Sequence, residues 1–515
     1  MLDTILNWVL RGVLLAFAVG AAMALARLTR AIWRERRERW AVRIALGMIL
    51  LAGVYTAGHA RLLVQREELE EGRRMYARYG DPRRTEQRRG EVRGWILDCS
   101  GSDAQALARY TLREGEVQRV YPLGEATANL VGGGRDADER DYTVERLFAE
   151  ELREPVSLAE AGQLHAAGTD LRLTLCAAPT RAAWELLRGT GNPGAVVVQD
   201  VSTGALVAYA ATGGPDDPPL GIKSYAPPGS VFKLALAALW WESGLGDPPL
   251  PCPDQIQVNS RSVIRNYESR GRGTVQGPTG MLVPSCNTTA VYMAQQLREQ
   301  VGEEAFVEAY RKYGFEPYQE DTPTDTLREF WSTSSDAWAR RMSPSLSRIR
   351  IGEETGRQEW AQLSIGQGPV DVTPIAVSRF VQAIGNGGVM LQPTIEAERA
   401  AEPEDGTRVM SAETARKLQR AMLAVVDSGT ARSTLPLLEG VGWDMGGKTG
   451  TAQVAGKPDD GWFAGLVFGP DGRPRYTVVV YLRGGGPGGR EPAAVAAGMT
   501  RVLARTAPSP GGRRG

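Results

Sequence analysis

The hydrophobic pattern changes character three times along the chain. Two long apolar runs come first, at about 5–26 and 41–58, broken by Asn7 and Arg11 in one and by Arg43 in the other. Each approaches the roughly twenty residues that span a bilayer. Between them, 27–40 is rich in arginine and carries Trp33 and Trp40, the composition of a cytoplasmic loop with interfacial anchors. The pattern predicts a membrane anchor over 1–60, with the rest of the chain extracytoplasmic. Two competing readings are a signal peptide cleaved near Ala24-Leu25-Ala26 and a pair of buried helices in a soluble protein. Residues 61–189 follow in shorter periods. They read as a charged juxtamembrane helix ended by Asp81-Pro82, strands at Arg93–Asp98, Val117–Tyr121 and Leu171–Leu175, and a helix over Pro179–Arg188. From 190 to 505 the runs are longer. Gly194–Asp200 and Ala205–Tyr209 flank the turn Ser202-Thr203-Gly204 as a hairpin of central strands. Trp462–Phe468 and Tyr476–Leu482 repeat the β-branched pattern near the end, and helical stretches lie between. The fold class is α+β. Residues 506–515, made of Pro, Gly, Arg and small residues, read as a disordered tail.

The strongest chemistry sits at Ala226-Pro227-Pro228-Gly229-Ser230-Val231-Phe232-Lys233, before the Ala/Leu-rich run that ends in Trp240-Trp241. Two prolines and a glycine stop the preceding segment, and a buried helix begins at once. Ser230 is therefore expected at the helix N-terminus with Lys233 one turn on, on the same face. A hydroxyl there feels the positive end of the helix dipole. An amine at i+3, if desolvated, can sit neutral and take its proton. The bland reading is an N-cap and a snorkelling lysine. Composition narrows the choice of base. Both histidines, His59 and His165, precede 190, so a Ser-His-Asp triad or a His-ligated zinc is excluded downstream. The four cysteines show no C-x-x-C and no metal-ligand spacing. Sixty basic and sixty acidic residues leave no net charge and no nucleic-acid footprint.

Two further stretches share this region. Ser285-Cys286-Asn287 opens an apolar helix, Thr288–Leu297, and Lys448-Thr449-Gly450-Thr451 follows Gly446-Gly447. The order S-x-x-K, S-x-N, K-T-G resembles the signature of penicillin-recognising serine enzymes. More broadly, Arg93-Gly94-Trp95-Ile96-Leu97-Asp98, Tyr121-Pro122, Gly366-Gln367-Gly368 with Thr373-Pro374, Asn386-Gly387-Gly388 and Trp462-Phe463-Ala464-Gly465 are similar to segments of class B penicillin-binding proteins.

The resemblance implies a β-lactamase/transpeptidase-like domain over 190–505: one antiparallel sheet built from both ends of the domain, with a helical lobe inserted. A small pedestal-like region precedes it. The implied activity is that of a peptidoglycan D,D-transpeptidase that β-lactams acylate. Ser230 would be nucleophile, Lys233 base, Ser285 proton relay, and Asn287 the support of Lys233 or of the substrate amide. Lys448 would keep Lys233 neutral and attract the substrate carboxylate, to which Thr449 and Thr451 offer hydroxyls. Gly450 would let substrate lie along the strand, and the N–H groups of Ser230 and Thr451 would form the oxyanion hole. Expected partners are stem peptides, β-lactams, the plasma membrane and a multi-spanning glycosyltransferase, since 1–189 has no room for a polymerising domain as well. No cofactor or metal is expected. Cys252 and Cys286 are a candidate disulfide, and Arg93 with Asp98 a candidate structural ion pair. A D,D-carboxypeptidase, a β-lactamase or a non-catalytic β-lactam sensor or scaffold would carry the same motifs.

Overall fold

A computed structural model of the chain describes residues 93–506 together with Arg27; within 93–506 it leaves out 114–115, 134–142, 150, 154–168, 213–218, 268–269, 316–346, 352–354 and 402–405. The expected membrane hairpin (Arg27 apart), the helix over 61–90 and the tail from 507 lie outside the described residues. Among the described residues no helix is long and apolar enough to cross a membrane.

The first described module is small. Strand β1 (Ile96–Leu97) pairs with the end of a segment far along the chain, β4 (Leu171–Arg172), and between them β2 (Arg109–Arg113) and β3 (Glu116–Val120) form a hairpin. Its centre is an ion cluster. Glu145, fully buried, accepts from Arg93 at 2.9 Å, from Arg119 Nε at 2.9 Å and from Tyr121 Oη at 3.2 Å. This corrects the expected Arg93–Asp98 pair. Asp98 instead accepts from the backbone N–H groups of Ser100 at 2.9 Å and Ala177 at 3.1 Å, closing the turn after β1 and anchoring a helix start. The two side chains belong to one strand segment but serve different partners, because the partner of Arg93 lies 52 residues on. A disulfide between Cys99 and Cys176, not anticipated from sequence, ties the same turn to that helix.

The helix is α1 (Ala177–Gly189), followed by the hairpin β5 (Gly194–Asp200) and β6 (Leu206–Ala211). The inserted lobe contains α2 (Lys233–Glu242), four short strands β7 (Pro249–Cys252), β8 (Gln255–Gln257), β9 (Val263–Arg265) and β10 (Gly273–Gln276), then α3 (Asn287–Val301), α4 (Arg357–Ser364), α5 (Pro374–Gly385) and α6 (Ala412–Asp427). The chain returns through β11 (Asp444–Ala452), β12 (Asp460–Phe468) and β13 (Pro474–Leu482), and α7 (Glu491–Thr506) follows. The sheet order is β11-β12-β13-β5-β6, five strands, every neighbour antiparallel. This is the expected sheet made by both ends of the domain, with β11 on its edge.

Both faces of the sheet are covered, so its strands read as continuous apolar runs. The period of two shows in which core each side chain joins. Ala195, Val197, Tyr209, Trp462 and Val479 pack with the lobe, whereas Val196, Val198, Phe463, Val478 and Val480 pack with Ala183 and Leu187 of α1 and Ala493, Ala496 and Met499 of α7. The lobe-side core also takes in Ile96, Leu107, Leu130 and Leu173 of the first module. Helix α2 is the hydrophobic axis of the lobe: every residue from Lys233 to Trp241 is buried, which explains why its sequence shows no polar face.

Candidate active site

Three chain segments converge where α2, α3 and β11 begin or pass. Ser230 lies in a one-turn 3-10 segment, Gly229–Phe232, and Lys233 is the first α-helical residue. The nucleophile candidate thus stands just ahead of α2 and not inside its first turn. Close backbone approach fixes this turn. Gly229 has φ +54°, and a Cβ there would meet Thr451 O at 2.5 Å. Gly229 N donates to Gly366 O at 2.8 Å, so the loop Gly366-Gln367-Gly368 braces the turn from the other side.

Gly450 answers the same geometry. A Cβ on it would reach Pro228 O at 2.7 Å and Val231 Cγ2 at 2.9 Å. The bare face of Gly450 thus receives the Ser230 turn, a packing reason for glycine that the sequence did not show. Any side chain would push the edge strand away from the nucleophile.

Lys233 is fully buried. Its Nζ donates to Asn287 Oδ1 at 2.7 Å, to Ser285 O at 2.8 Å and to Ser285 Oγ at 3.4 Å. Lys448, also fully buried, donates from Nζ to Ser285 Oγ at 2.9 Å and to Thr449 O at 2.9 Å. Ser285 therefore bridges two lysines. Its φ of 59° makes it the only non-glycine residue with positive φ among the described residues. That conformation, costly for an L-residue, lets carbonyl and hydroxyl both face Lys233. Among the described residues no hydrogen bond joins Ser230 Oγ to Lys233, whose amine is held by the S-x-N segment in this resting arrangement.

Burial is the main cause that drives the pKa of Lys233 well below the usual lysine value, and the charge of Lys448 adds to it. Burial alone brings Lys448 from 10.5 to about 7. Two lysine amines are enclosed together, and among the described residues no carboxylate takes part in the hydrogen bonds to either. Desolvation and like charge both favour the neutral amine.

The S-x-N corner is pinned from several directions. The expected Cys252–Cys286 disulfide is present and joins the corner to β7. Thr288 and Thr289 donate their hydroxyls to Pro253 O at 2.9 Å and Pro251 O at 2.8 Å. Asn266, buried just after β9, accepts through Oδ1 from the N–H groups of Asn287 at 2.8 Å and Thr288 at 3.2 Å, and donates to Pro253 O at 2.9 Å. It caps α3 from a distant loop. Asn287 Nδ2 in turn donates to Arg265 O at 2.9 Å. Sequence reading missed Asn266, which carries no motif. It also missed Thr430, whose hydroxyl lies 2.7 Å from Thr449 Oγ1.

Thr449 and Thr451 alternate to the face of β11 opposite Lys448. Thr449 Oγ1 meets Thr430, and Thr451 Oγ1 accepts from Gly488 N at 3.4 Å. The structure thus joins Lys233, Ser285, Asn287 and Lys448 in one network, sets Ser230 beside Lys233 in sequence on the adjoining turn, and leaves the two threonine hydroxyls outside it. Among the described residues no cluster of His, Cys, Asp or Glu could hold a metal.

Residues 194–501 match the family profile for the penicillin binding protein transpeptidase domain, more than half of the chain. The chain belongs to that family. Penicillin-binding protein PbpB of Mycobacterium tuberculosis is 29% identical over 330 residues, 58% of this chain and 44% of PbpB. Peptidoglycan D,D-transpeptidase PbpA of Mycolicibacterium smegmatis is 24% identical over 432 residues, 72% of this chain and 79% of PbpA. The chain thus spans less than half the length of PbpB. Among solved structures, penicillin-binding protein A from M. tuberculosis as its penicillin G acyl-enzyme complex has a TM-score of 0.64 at 21% identity, covering 81% of this chain and 100% of that one. The D,D-transpeptidase domain of a peptidoglycan glycosyltransferase from Eggerthella lenta has a TM-score of 0.62 at 23% identity, covering 80% and 98%. At these identities the structures establish the shared transpeptidase fold.

Proposed function

We propose that this member of the family is a peptidoglycan D,D-transpeptidase, acylated at Ser230 by D-alanyl-D-alanine stems and by β-lactams. The observation that carries the reading is the buried pair Lys233 and Lys448 bridged by Ser285, set against the turn that presents Ser230.

In this reading Ser230 Oγ attacks the carbonyl carbon of the penultimate D-alanine while its proton passes to neutral Lys233. The developing oxyanion is held by the N–H groups of Ser230 and Thr451, an arrangement in which one donor is typically worth about 3 kcal/mol of barrier. Collapse breaks the C–N bond. The leaving D-alanine nitrogen takes a proton relayed from Lys233 through Ser285. The amine of a second stem then attacks the ester, gives up a proton along the same path, and restores Ser230. A β-lactam follows the first half, but its opened ring stays attached. Lys448, when protonated, attracts the substrate carboxylate and raises the cost of a second charge on Lys233.

The wider assignment follows the same reading. Residues 1–60 anchor the protein in the plasma membrane, 61–189 act as a pedestal-like region, and 190–505 form the catalytic domain outside the cytoplasm. Two disulfides in the described part support an oxidising compartment. A multi-spanning glycosyltransferase would supply the polymerised glycan.

The test is labelling with a fluorescent penicillin, wild type beside Ser230→Ala, followed by a chase. A label that is absent from the variant and persists for hours on the wild type supports the transpeptidase. A label lost within seconds points to a β-lactamase, and no label on folded wild type overturns the reading.

A further inference from the structure

Beside the S-x-N corner, the β8–β9 hairpin and helix α4 line an open cavity of about 420 Å³. Its polar lining is Arg261, Ser262, Arg265, Gln358 and Gln362. The two walls are joined by Ser262, whose hydroxyl donates to Gln358 Oε1 at 2.7 Å. That bond is accepted by the carbonyl oxygen of the Gln358 side chain. Among the described residues both arginines are exposed and form no ion pair, and no acidic side chain lines the space. The first-turn carboxylate of α4, Glu359, is drawn back over Gly356. The charged groups among the described lining residues are thus two guanidinium groups, with two carboxamides and the Ser262 hydroxyl beside them.

Its walls are also continuous with the reacting groups. Arg265 O accepts from Asn287 Nδ2 at 2.9 Å, and Asn287 Oδ1 holds Lys233. On the opposite wall Gln367 N donates to Gln362 O at 2.9 Å, and the neighbouring Gly366 O receives Gly229 N. Hydrogen bonds thus link both walls of the cavity to the segments that hold Lys233 and the Ser230 turn.

We propose that this cavity binds a carboxylate carried by the stem peptide upstream of its terminal D-alanyl-D-alanine, with Arg261 and Arg265 as the carboxylate-binding side chains. The inference rests on the transpeptidase reading for the identity of the peptide. Guanidinium groups match the planar, two-oxygen geometry of a carboxylate. A hydrogen bond to a charged partner is strong enough that its loss should weaken productive binding about tenfold. The site would make the enzyme prefer a stem whose upstream carboxyl is free over one in which it is amidated.

The experiment compares a stem pentapeptide with that carboxyl free and the same peptide amidated, as acyl donors to wild type, Arg261→Gln and Arg265→Gln. Rates are counted per molecule competent to take a fluorescent penicillin. Wild type should prefer the free acid about tenfold in kcat/KM, and each variant should bring the ratio toward one. A wild-type ratio near one, or a ratio unmoved by both substitutions, overturns the proposal while leaving the transpeptidase reading intact. If no penicillin label forms, that reading fails. The cavity is then judged by fluorescence anisotropy of the labelled free-acid peptide, with its amide and inorganic phosphate as competitors. Binding that the amide matches, or that phosphate displaces as well as the free acid does, also overturns it.

Discussion

Among the described residues two buried charge clusters are built on opposite plans. In the first module one carboxylate, Glu145, is enclosed by Arg93, Arg119 and the hydroxyl of Tyr121. At the S-x-N corner two lysine amines, Lys233 and Lys448, share a serine hydroxyl. The first cluster matches charge with opposite charge. The second places like charges together in a dry site and leaves them to hydroxyl, carbonyl and carboxamide oxygens. A matched cluster needs both signs to stay folded, whereas a mismatched one holds a proton loosely. Loose protons are what an acyl-transfer site needs, at a cost in stability.

Breaking the matched cluster should have the larger effect. Glu145→Gln removes the buried anion that Arg93 and Arg119 face. Removal of one partner from a buried ion cluster typically costs about 3–5 kcal/mol. The midpoint of chemical unfolding should fall accordingly, while penicillin labelling per folded molecule stays at the wild-type rate. An unfolding midpoint within error of wild type would show that Glu145 is not the keystone of that module.

The mismatched cluster should respond with the opposite sign. Lys448→Met keeps side-chain length and removes a buried cation. Burial holds the folded-state pKa of Lys448 at about 7, below its ordinary 10.5. Between those values the unfolded chain binds the additional proton, so wild-type stability rises with pH, by about 1.4 kcal/mol per unit. The methionine variant lacks that slope. It should be more stable than wild type at pH 7 by about 1–4 kcal/mol, with the advantage shrinking as pH rises toward 10, and should label poorly throughout. Unfolding curves at pH 7, 8.5 and 10 test this. A variant less stable than wild type at pH 7 would mean that its bonds to Ser285 and Thr449 outweigh its desolvation.

Between these extremes lies Asn266, neutral and buried, which holds the mismatched cluster in place without belonging to it. Asn266→Ala strips two acceptor bonds from the start of α3 and should cost about 1–2 kcal/mol, the range for a lost cap. Labelling should slow about tenfold because Ser285 and Asn287 lose their register on Lys233. Asn266→Asp keeps the acceptor oxygen and should restore most of the labelling rate. If Asp labels as slowly as Ala, the role is packing and not capping.

What could be read from sequence follows the range of the interactions. Helix α2, the strands β5, β12 and β13 and the three motifs are local patterns, and the structure has them within a few residues of their expected bounds. Ser230, Lys233, Ser285, Asn287 and Lys448 were legible because each sits in a short run with its own context. Partners set by tertiary approach were not. Glu145 meets Arg93 across 52 positions and Asn266 meets Asn287 across 21. No local spacing signals either pair. Gly450 was visible as a glycine, but its packing against the Ser230 turn was not: strand position alone does not tell which neighbour will press on the bare Cα. Cys99–Cys176, 77 residues apart, was hidden for the same cause.

The smallest effect expected is at Thr430, whose hydroxyl faces Thr449 Oγ1 at 2.7 Å on the far side of β11 from the lysines. This pair is neutral and lies near the surface, so it tests whether hydroxyls outside the charged network matter at all. Thr430→Val preserves shape and removes one hydrogen bond, worth about 1 kcal/mol or less to stability. Unfolding should barely change. Thr449 would keep its hydroxyl but lose the partner that orients it. If that hydroxyl receives the substrate carboxylate, labelling should slow about two- to fivefold, and Thr430→Ser should restore it. The lysine pair would be untouched, so the pH dependence of labelling should keep its wild-type shape. A rate equal to wild type would confine carboxylate recognition to Lys448 and Thr451. A shifted pH profile would mean that the opposite face of β11 reaches the proton on Lys448 after all.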